Sequence, residues 1–410
     1  MEKIVNRTFE IYKKDYKGIF WDIAKESAII YNDSKKTALS HYKENKNIIS
    51  CNDIQKEIYN NYKNFKLSSN SKIAVIQQFD KARRSYFKSL KSYRRDSSKF
   101  TGIPTFPTKD KNINCICFKN TSITFKGGYL RLSLSRGNEP IKIKWNANLP
   151  IPIFAVLSYS KEYGWKFSLV LQISIEENDS LDEGGLLSID PGVKRIATTF
   201  DGQDTVTYSG KQLMSLIRLR NKMNKKTKLK LKNLKKHSKK YKKINSANRE
   251  FRKRNNFKIN EILHKYSKSI VDYCVNKKIK HIVFGDNSST HNSPNLGKVW
   301  NQEISQGLEQ KLRKYIQYKF ESIGGTLELV SEHYTSQSCP ICGNCYKPSS
   351  RFYKCKKCGF KFDRDGVGAI NIWNQEAKVS FGDYLDVVGG LTPPIGVKYH
   401  NGSKIVLGFS

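Results

Sequence analysis

Two Cys-x-x-Cys-Gly knuckles, Cys339-Pro-Ile-Cys342-Gly343 and Cys355-Lys-Lys-Cys358-Gly359, constrain this chain more than any other feature. Twelve residues separate the pairs, a spacing that suits four thiolates around a tetrahedral zinc ion. Five of the nine cysteines fall within twenty residues, and the other four, Cys51, Cys115, Cys117 and Cys274, are scattered. Clustered thiols without an export signal point to metal and not to a disulfide framework. Cys345 is a spare ligand, and a Cys342/Cys345 register stays open, although it lacks the trailing glycine that eases each knuckle's turn. Four thiolates leave no open coordination position, so the predicted zinc is structural and pins the stretch between Glu332 and Asp365.

Charge supplies the second constraint. Over 410 residues, 74 Lys and Arg stand against 36 Asp and Glu, a net +38. An excess of that size needs a polyanion, and the 22 Tyr and 21 Phe spread among the lysines suit bases and phosphates better than an anionic membrane surface. Residues 211–258 alone carry 20 Lys or Arg and one acid, Glu250, which predicts a long basic helix pair or a basic arm. A hydrophobic fraction of 38% excludes global disorder. No apolar run approaches the roughly 20 residues of a bilayer span, and the N-terminus opens into polar sequence. The expectation is a multidomain protein of the cytosol or nucleoid with no membrane partner.

Periodicity gives the organisation. Residues 1–15 alternate as a strand; the next stretch turns helical, clearest from Ile73 to Tyr93, where Ile73, Ile76, Phe79, Ala82, Phe87 and Leu90 form a stripe and Arg83, Arg84, Lys88, Lys91, Arg94 and Arg95 load the remainder as a solvated basic face. From Gly102 to Ile175 the period becomes two, which predicts a β-barrel that the N-terminal strand joins across the helical insertion. An acidic, glycine-bearing linker over 176–185 marks the main boundary. Beyond it come a strand at 186–190, a second at 193–200, an Asp201-Gly202 hairpin and a third strand at 205–208. An amphipathic helix over 257–274, a strand at 280–284, a helix near 304–323 and a strand at 326–330 complete the order of an RNase H-like fold. His264 lies near the apolar face of its helix, where a packing role is expected. The predicted fold class is α+β and multidomain: a barrel with inserted helices, then an RNase H-like domain with an embedded zinc finger.

An apolar strand that ends in a carboxylate calls for a partner, because burying the charge alone is costly. Asp190 follows Leu186-Leu-Ser-Ile189, Glu332 follows Leu327-Glu-Leu-Val330, and Asp365 precedes the helical stretch Ala369-Ile-Asn-Ile-Trp373. Where such elements converge, three acids can hold two Mg²⁺ ions for in-line attack on a phosphodiester. Capping of a turn or helix is the simpler role for any one of them.

With those residues in view, most of the chain resembles the TnpB family of transposon-encoded RNA-guided nucleases and the miniature type V CRISPR effectors. Ser188-Ile-Asp-Pro-Gly-Val193 resembles the first RuvC motif, Tyr334-Thr-Ser-Gln-Ser-Cys-Pro-Ile-Cys-Gly343 the entry to the family's zinc finger, and Asp363-Arg-Asp365 with Asn371-Ile372 the third RuvC motif. Gly102-Ile-Pro-Thr-Phe-Pro107 resembles the passage from recognition helices into the wedge barrel. The resemblance implies a wedge barrel over 1–15 and 101–178, recognition helices over 16–100, a RuvC domain over 186–335 and 361–378, a zinc finger over 336–360 and a tail over 379–410. It implies a guide RNA and target DNA as partners, with Mg²⁺ at Asp190, Glu332 and Asp365 and Zn²⁺ at Cys339, Cys342, Cys355 and Cys358. Two positions depart from the family pattern. Gly285 and then Asp286 stand where most members carry the second RuvC glutamate, and Val367-Gly368-Ala369 replaces the usual Asn-Ala-Ala. Glu332 sits where a subset of relatives carries a relocated glutamate, and Asp286 is its competitor as third acid. A nuclease-dead RNA-guided repressor and a DNA transposase are the alternative functions.

Overall fold

The structure is a computed structural model in which residues 3–15, 18–100, 102–175, 181–286, 307–332, 335–346, 348, 350–377, 391–400 and 403–408 are described. The chain divides into two compact units, one of residues 6–173 and one of residues 1–5 with 174–410.

In the first unit, strand β1 (Lys3–Lys13) leads into helices α1 (Ile19–Asn45), α2 (Cys51–Ile58) and α3 (Ser69–Arg95). Strands β2 (Ile116–Lys119), β3 (Ile123–Lys126), β4 (Tyr129–Leu132), β5 (Ile141–Lys144), β6 (Phe154–Ser160) and β7 (Gly164–Ile175) follow. They form a four-stranded sheet in the order β1-β7-β6-β2 and a three-stranded sheet β3-β4-β5. β1 therefore sits beside β7, across the whole helical insertion. One core joins the layers: Ile23, Ile30, Val75, Ile76 and Phe79 from the helices bury with Phe118, Leu157, Phe167 and Leu169 from the strands. Helix hydroxyls satisfy carbonyls in and just before β2, Ser27 Oγ donating to Cys115 O at 3.0 Å and Ser71 Oγ to Cys117 O at 2.9 Å. The predicted basic face of α3 needs one correction. Arg83 is buried, 6% exposed, and ion-paired with the equally buried Asp80, whereas Phe87 from the predicted apolar stripe is 41% exposed. Asp80 one turn earlier supplies the partner that makes a buried guanidinium tolerable.

In the second unit, β8 (Asp182–Pro191), β9 (Arg195–Phe200) and β10 (Thr205–Ser209) form an antiparallel run. Helices α4 (Lys211–Lys232) and α5 (Lys239–Asn276) intervene before β11 (Ile279–Asp286), which pairs parallel with β8. Helix α6 (Leu308–Glu321) leads to β12 (Thr326–Ser331), parallel to β11. The cysteine segment carries a short antiparallel pair, β13 (Phe352–Lys354) and β14 (Lys361–Asp363), and helix α7 (Arg364–Ala377) follows directly. Strands β15 (Ile395–His400) and β16 (Ser403–Gly408) finish a seven-stranded sheet in the order β12-β11-β8-β9-β10-β15-β16.

Three differences from the sequence reading have physical causes. The basic stretch and the amphipathic helix merge in α5, a single 38-residue helix whose buried residues run from Asn255 to Cys274, so the turns before Asn255 can stay largely polar. The second part of the acidic linker, from Asp182, is already strand, paired with Ile279 of β11, while 176–180 lie outside the described residues. Residues 395–400 and 403–408 of the expected tail are strands, because β10 offers an edge that β15 pairs in parallel at Val206↔Ile395. The expected helix start near residue 304 also lies outside the described residues. His264 packs as expected, stacked on Tyr315 with ring centroids 4.0 Å apart. Among the described residues no helix is long and apolar enough to cross a membrane.

Candidate active site and zinc centre

β8, β11 and β12 run parallel, so their carboxyl-terminal ends share one edge of the sheet. Leu187, Ser188 and Ile189 are buried in β8, and Asp190 is the first acid to emerge from them. β11 ends in Gly285-Asp286 and β12 in Ser331, with Glu332 next in the chain. The register pairs Gly285 with Val330 and Asp286 with Ser331. A Cβ built on Gly285 would lie 2.3 Å from Glu332 Oε1, 2.6 Å from its Cγ and 2.8 Å from its Cδ. Glu332 thus fills the space that a side chain at 285 would take. Asp286, the competing acid, lies near enough to act on the charge of Glu332.

Helix α7 closes the site from above β8. Ser188 Oγ donates to Ala369 O at 2.7 Å, and a Cβ on Gly368 would meet Asp190 Oδ2 at 2.6 Å. The departure at Val367-Gly368-Ala369 therefore gives α7 the room to lie against the Asp190 carboxylate. Asn371 on the same helix donates to Thr335 O at 2.6 Å and Ser338 O at 2.8 Å, tying the segment after Glu332 to the helix that begins with Arg364-Asp365. Asp365 lies in the first turn of α7, and Arg195 Nη1 reaches its Oδ2 at 3.2 Å.

Crowded acids shape the electrostatics. Burial, then the charges of Glu332, Asp365 and Glu309, hold Asp190 well above the usual carboxylate range, against an opposing pull from Arg364. Burial, then Glu309 and Asp286, push Glu332 up to about 8. Glu332 Oε1 is buried and accepts no hydrogen bond. An orphaned carboxylate oxygen among like charges fits a bound cation, and an all-oxygen donor set fits Mg²⁺. Among the described residues, however, Asp190, Glu332 and Asp365 do not gather within 4.8 Å of one another as the cysteines do. Sequence reasoning missed Glu309, 8% exposed on α6, and Arg195. Glu309 looked like an ordinary acid at a helix start; Arg195, five residues after Asp190, carried no signal by itself.

A pH dependence follows from these shifts. Between the unfolded carboxyl pKa of about 4.3 and about 8, the folded chain keeps a proton on Glu332 that the unfolded chain has released. Stability of the protein without added Mg²⁺ is therefore expected to fall as pH rises through that window and to level off above it, with Asp190 acting in the same direction. Thermal melts of zinc-loaded protein at a series of pH values check this: Glu332→Gln should flatten the slope, and millimolar Mg²⁺ should stabilise wild type more at the alkaline end.

The thiols behave as the knuckle pattern predicts. Sγ atoms of Cys339, Cys342, Cys355 and Cys358 all lie within 4.8 Å of one another, with Cys339–Cys358 and Cys342–Cys355 each 3.5 Å apart. Gly343 and Gly359 turn the chain behind each pair with φ of 69° and 77°. Cys345 is exposed and outside the cluster, its backbone bridged to Ser338. Cys339 and Cys355 bury in one core with Tyr353, Phe362, Val367, Ile370 and Trp373, so the knuckles and α7 are a single packed body.

Residues 310–372 match the family model described as Cas12f1-like, TNB domain. The chain is 31% identical over 124 residues to TnpB-like protein MJ0751 of Methanocaldococcus jannaschii, covering 30% of this chain and 44% of that protein. To TnpB-like protein MJ0012 of the same organism it is 30% identical over 97 residues, 23% of this chain and 42% of that one. The chain thus spans less than half the length of the curated relatives it matches. The solved Cas12f1–sgRNA–target DNA complex contains a chain of similar fold, with a TM-score of 0.54 at 14% identity over 88% of this chain and 83% of that one. The fold is that of a mixed α/β multidomain protein resembling Cas12f, with a cysteine cluster consistent with a zinc finger. Parts of the chain are thus similar in sequence to TnpB-like proteins and to the TNB domain of Cas12f1-like proteins.

Proposed function

We propose that this protein is an RNA-guided DNA endonuclease whose RuvC-type site hydrolyses phosphodiesters with two Mg²⁺ ions held by Asp190, Glu332 and Asp365. The observation that carries the reading is Glu332 filling the side-chain space of Gly285 at the sheet edge that also presents Asp190. The strand order β10-β9-β8-β11-β12, with its antiparallel-then-parallel pattern, supports an RNase H-like core. Bound Mg²⁺ would polarise the scissile phosphate and activate the attacking water. Asp190 and Glu332 offer buried carboxylates to the ions, Arg195 fixes Asp365, and the zinc-bound knuckles hold α7 in place.

Within this proposal, the segments 1–15 and 101–178 act as a wedge barrel, 16–100 as recognition helices, 186–335 with 361–378 as the nuclease and 336–360 as its zinc finger. Guide RNA and target DNA are the partners, in the prokaryotic cytoplasm. The exposed lysines of α4 and of the first half of α5 supply phosphate contacts. Sequencing RNA that copurifies with the protein, followed by cleavage of a plasmid bearing the guide's complement, tests the reading. Affinity for that RNA is expected to fall steeply with salt, with a log–log slope of about −0.7 to −0.9 per phosphate neutralised; a flat response across salt would sink the basic-helix interface. A guided repressor without nuclease activity is the second reading, favoured by Gly285 alone. RNA-guided binding with no cleavage in Mg²⁺ would select it.

A further inference from the structure

Resting on the metal site just proposed, we infer that Arg195 is a positioning residue for the divalent cation, clamping Asp365 by one oxygen so that the other is presented as a ligand. Arg195 begins β9, a strand fixed on both sides by β8 and β10. Its side chain is 14% exposed, and its Nη1 meets two carboxylates, Asp363 Oδ1 and, at 3.2 Å, Asp365 Oδ2. Asp363 is already committed: its Oδ1 accepts the N–H groups of Asp365 at 3.0 Å and Gly366 at 3.2 Å, capping α7. Asp363 therefore anchors both the guanidinium and the helix start, and the two groups set the height and rotation of Asp365.

A surface ion pair would have no such consequence, because neither partner would be fixed to a framework. Here the clamp joins the sheet strand next to Asp190 to the first turn of the helix packed over it. A planar guanidinium can serve two carboxylates at once, whereas lysine offers a point charge on a flexible stem. Partners that orient a metal ligand typically govern about 10- to 100-fold in metal affinity. The carboxylate crowd at Asp190 and Glu332 supplies the pull on the cation; Arg195 supplies the placement of the third ligand.

Mn²⁺ binding to the full-length, zinc-loaded protein freed of nucleic acid, followed by calorimetry, tests the inference without relying on cleavage. Arg195→Gln should weaken binding about 10- to 100-fold with zinc content unchanged, and Arg195→Lys should recover part of the loss. Asp363→Asn keeps an amide oxygen to cap α7 but weakens the anchor, so it should weaken binding in the same direction. That variant decides the matter by itself if Arg195→Gln loses zinc or fails to fold. Asp190→Asn is the control for the site: Mn²⁺ binding untouched by it would overturn the metal-site reading itself. If Asp190→Asn abolishes binding while Arg195→Gln, or Asp363→Asn in its stead, binds Mn²⁺ as tightly as wild type or tighter, the clamp is wrong and the metal site stands.

Discussion

Glu332→Gln is expected to abolish guided plasmid cleavage in Mg²⁺, lowering the rate roughly a thousandfold or more as loss of a reacting-site group commonly does, while RNA and DNA binding persist. Asp190→Asn and Asp365→Asn should do the same, and Asp286→Asn should keep cutting. The expectation rests on where the carboxylate lies. A Cβ at 285 would come within 2.3 Å of Glu332 Oε1, so the two positions compete for one volume. Gly285→Ala should therefore push the Glu332 side chain aside and cut activity more than stability, because the displaced group is the end of a flexible side chain. Returning the acid to its usual strand, Gly285→Glu with Glu332→Ala, should restore part of the cleavage. Wild-type rates from Glu332→Gln would reject the relocation and bring Asp286 forward.

Cys355→Ser is expected to release the zinc ion and to inactivate the protein although no acid is touched. Structural zinc is worth roughly 10–16 kcal/mol in isolated fingers at neutral pH, and here Cys355 also lies in the same core as Val367, Ile370 and Trp373 of α7. Loss of the ion should loosen the helix that carries Asp365, lowering the melting temperature and cleavage together. Cys345→Ser should retain zinc and activity, since its thiol lies outside the cluster. Metal analysis of the two variants decides the register, and zinc loss from Cys345→Ser in place of Cys355→Ser would reverse it.

The legible parts of the molecule were those whose signal is local. Two knuckles with trailing glycines gave the thiol cluster, because ligand spacing within a short segment leaves little freedom. A short apolar run, the Pro191-Gly192 turn and the Asp201-Gly202 hairpin signal gave β8 to β10, and the parallel strands β11 and β12 stood out as short apolar segments between helices. Glu332 was singled out through an absence at Gly285, but only the register between β11 and β12 makes the two positions share a volume. Arg195, Glu309 and the fit of Gly368 against Asp190 were not legible, since each depends on elements far apart in sequence meeting at one point. Arg83 was misplaced for the same reason, its exposure being decided by neighbours that helical periodicity does not count.

The parallel pairing of β10 with β15 sets an order of events during synthesis. Residues 6–173 contain the partners for most of their own core and can close while the rest of the chain is still being made. The second unit cannot: β10 waits nearly two hundred residues for its neighbour, and Asp190 waits a similar span for the helix bearing Asp365. At about 5–20 residues per second, translation keeps the sheet edge unpaired and the acids apart for on the order of ten seconds or more. A nascent chain would thus expose the basic helices α4 and α5 before Asp190 and Asp365 could be brought together.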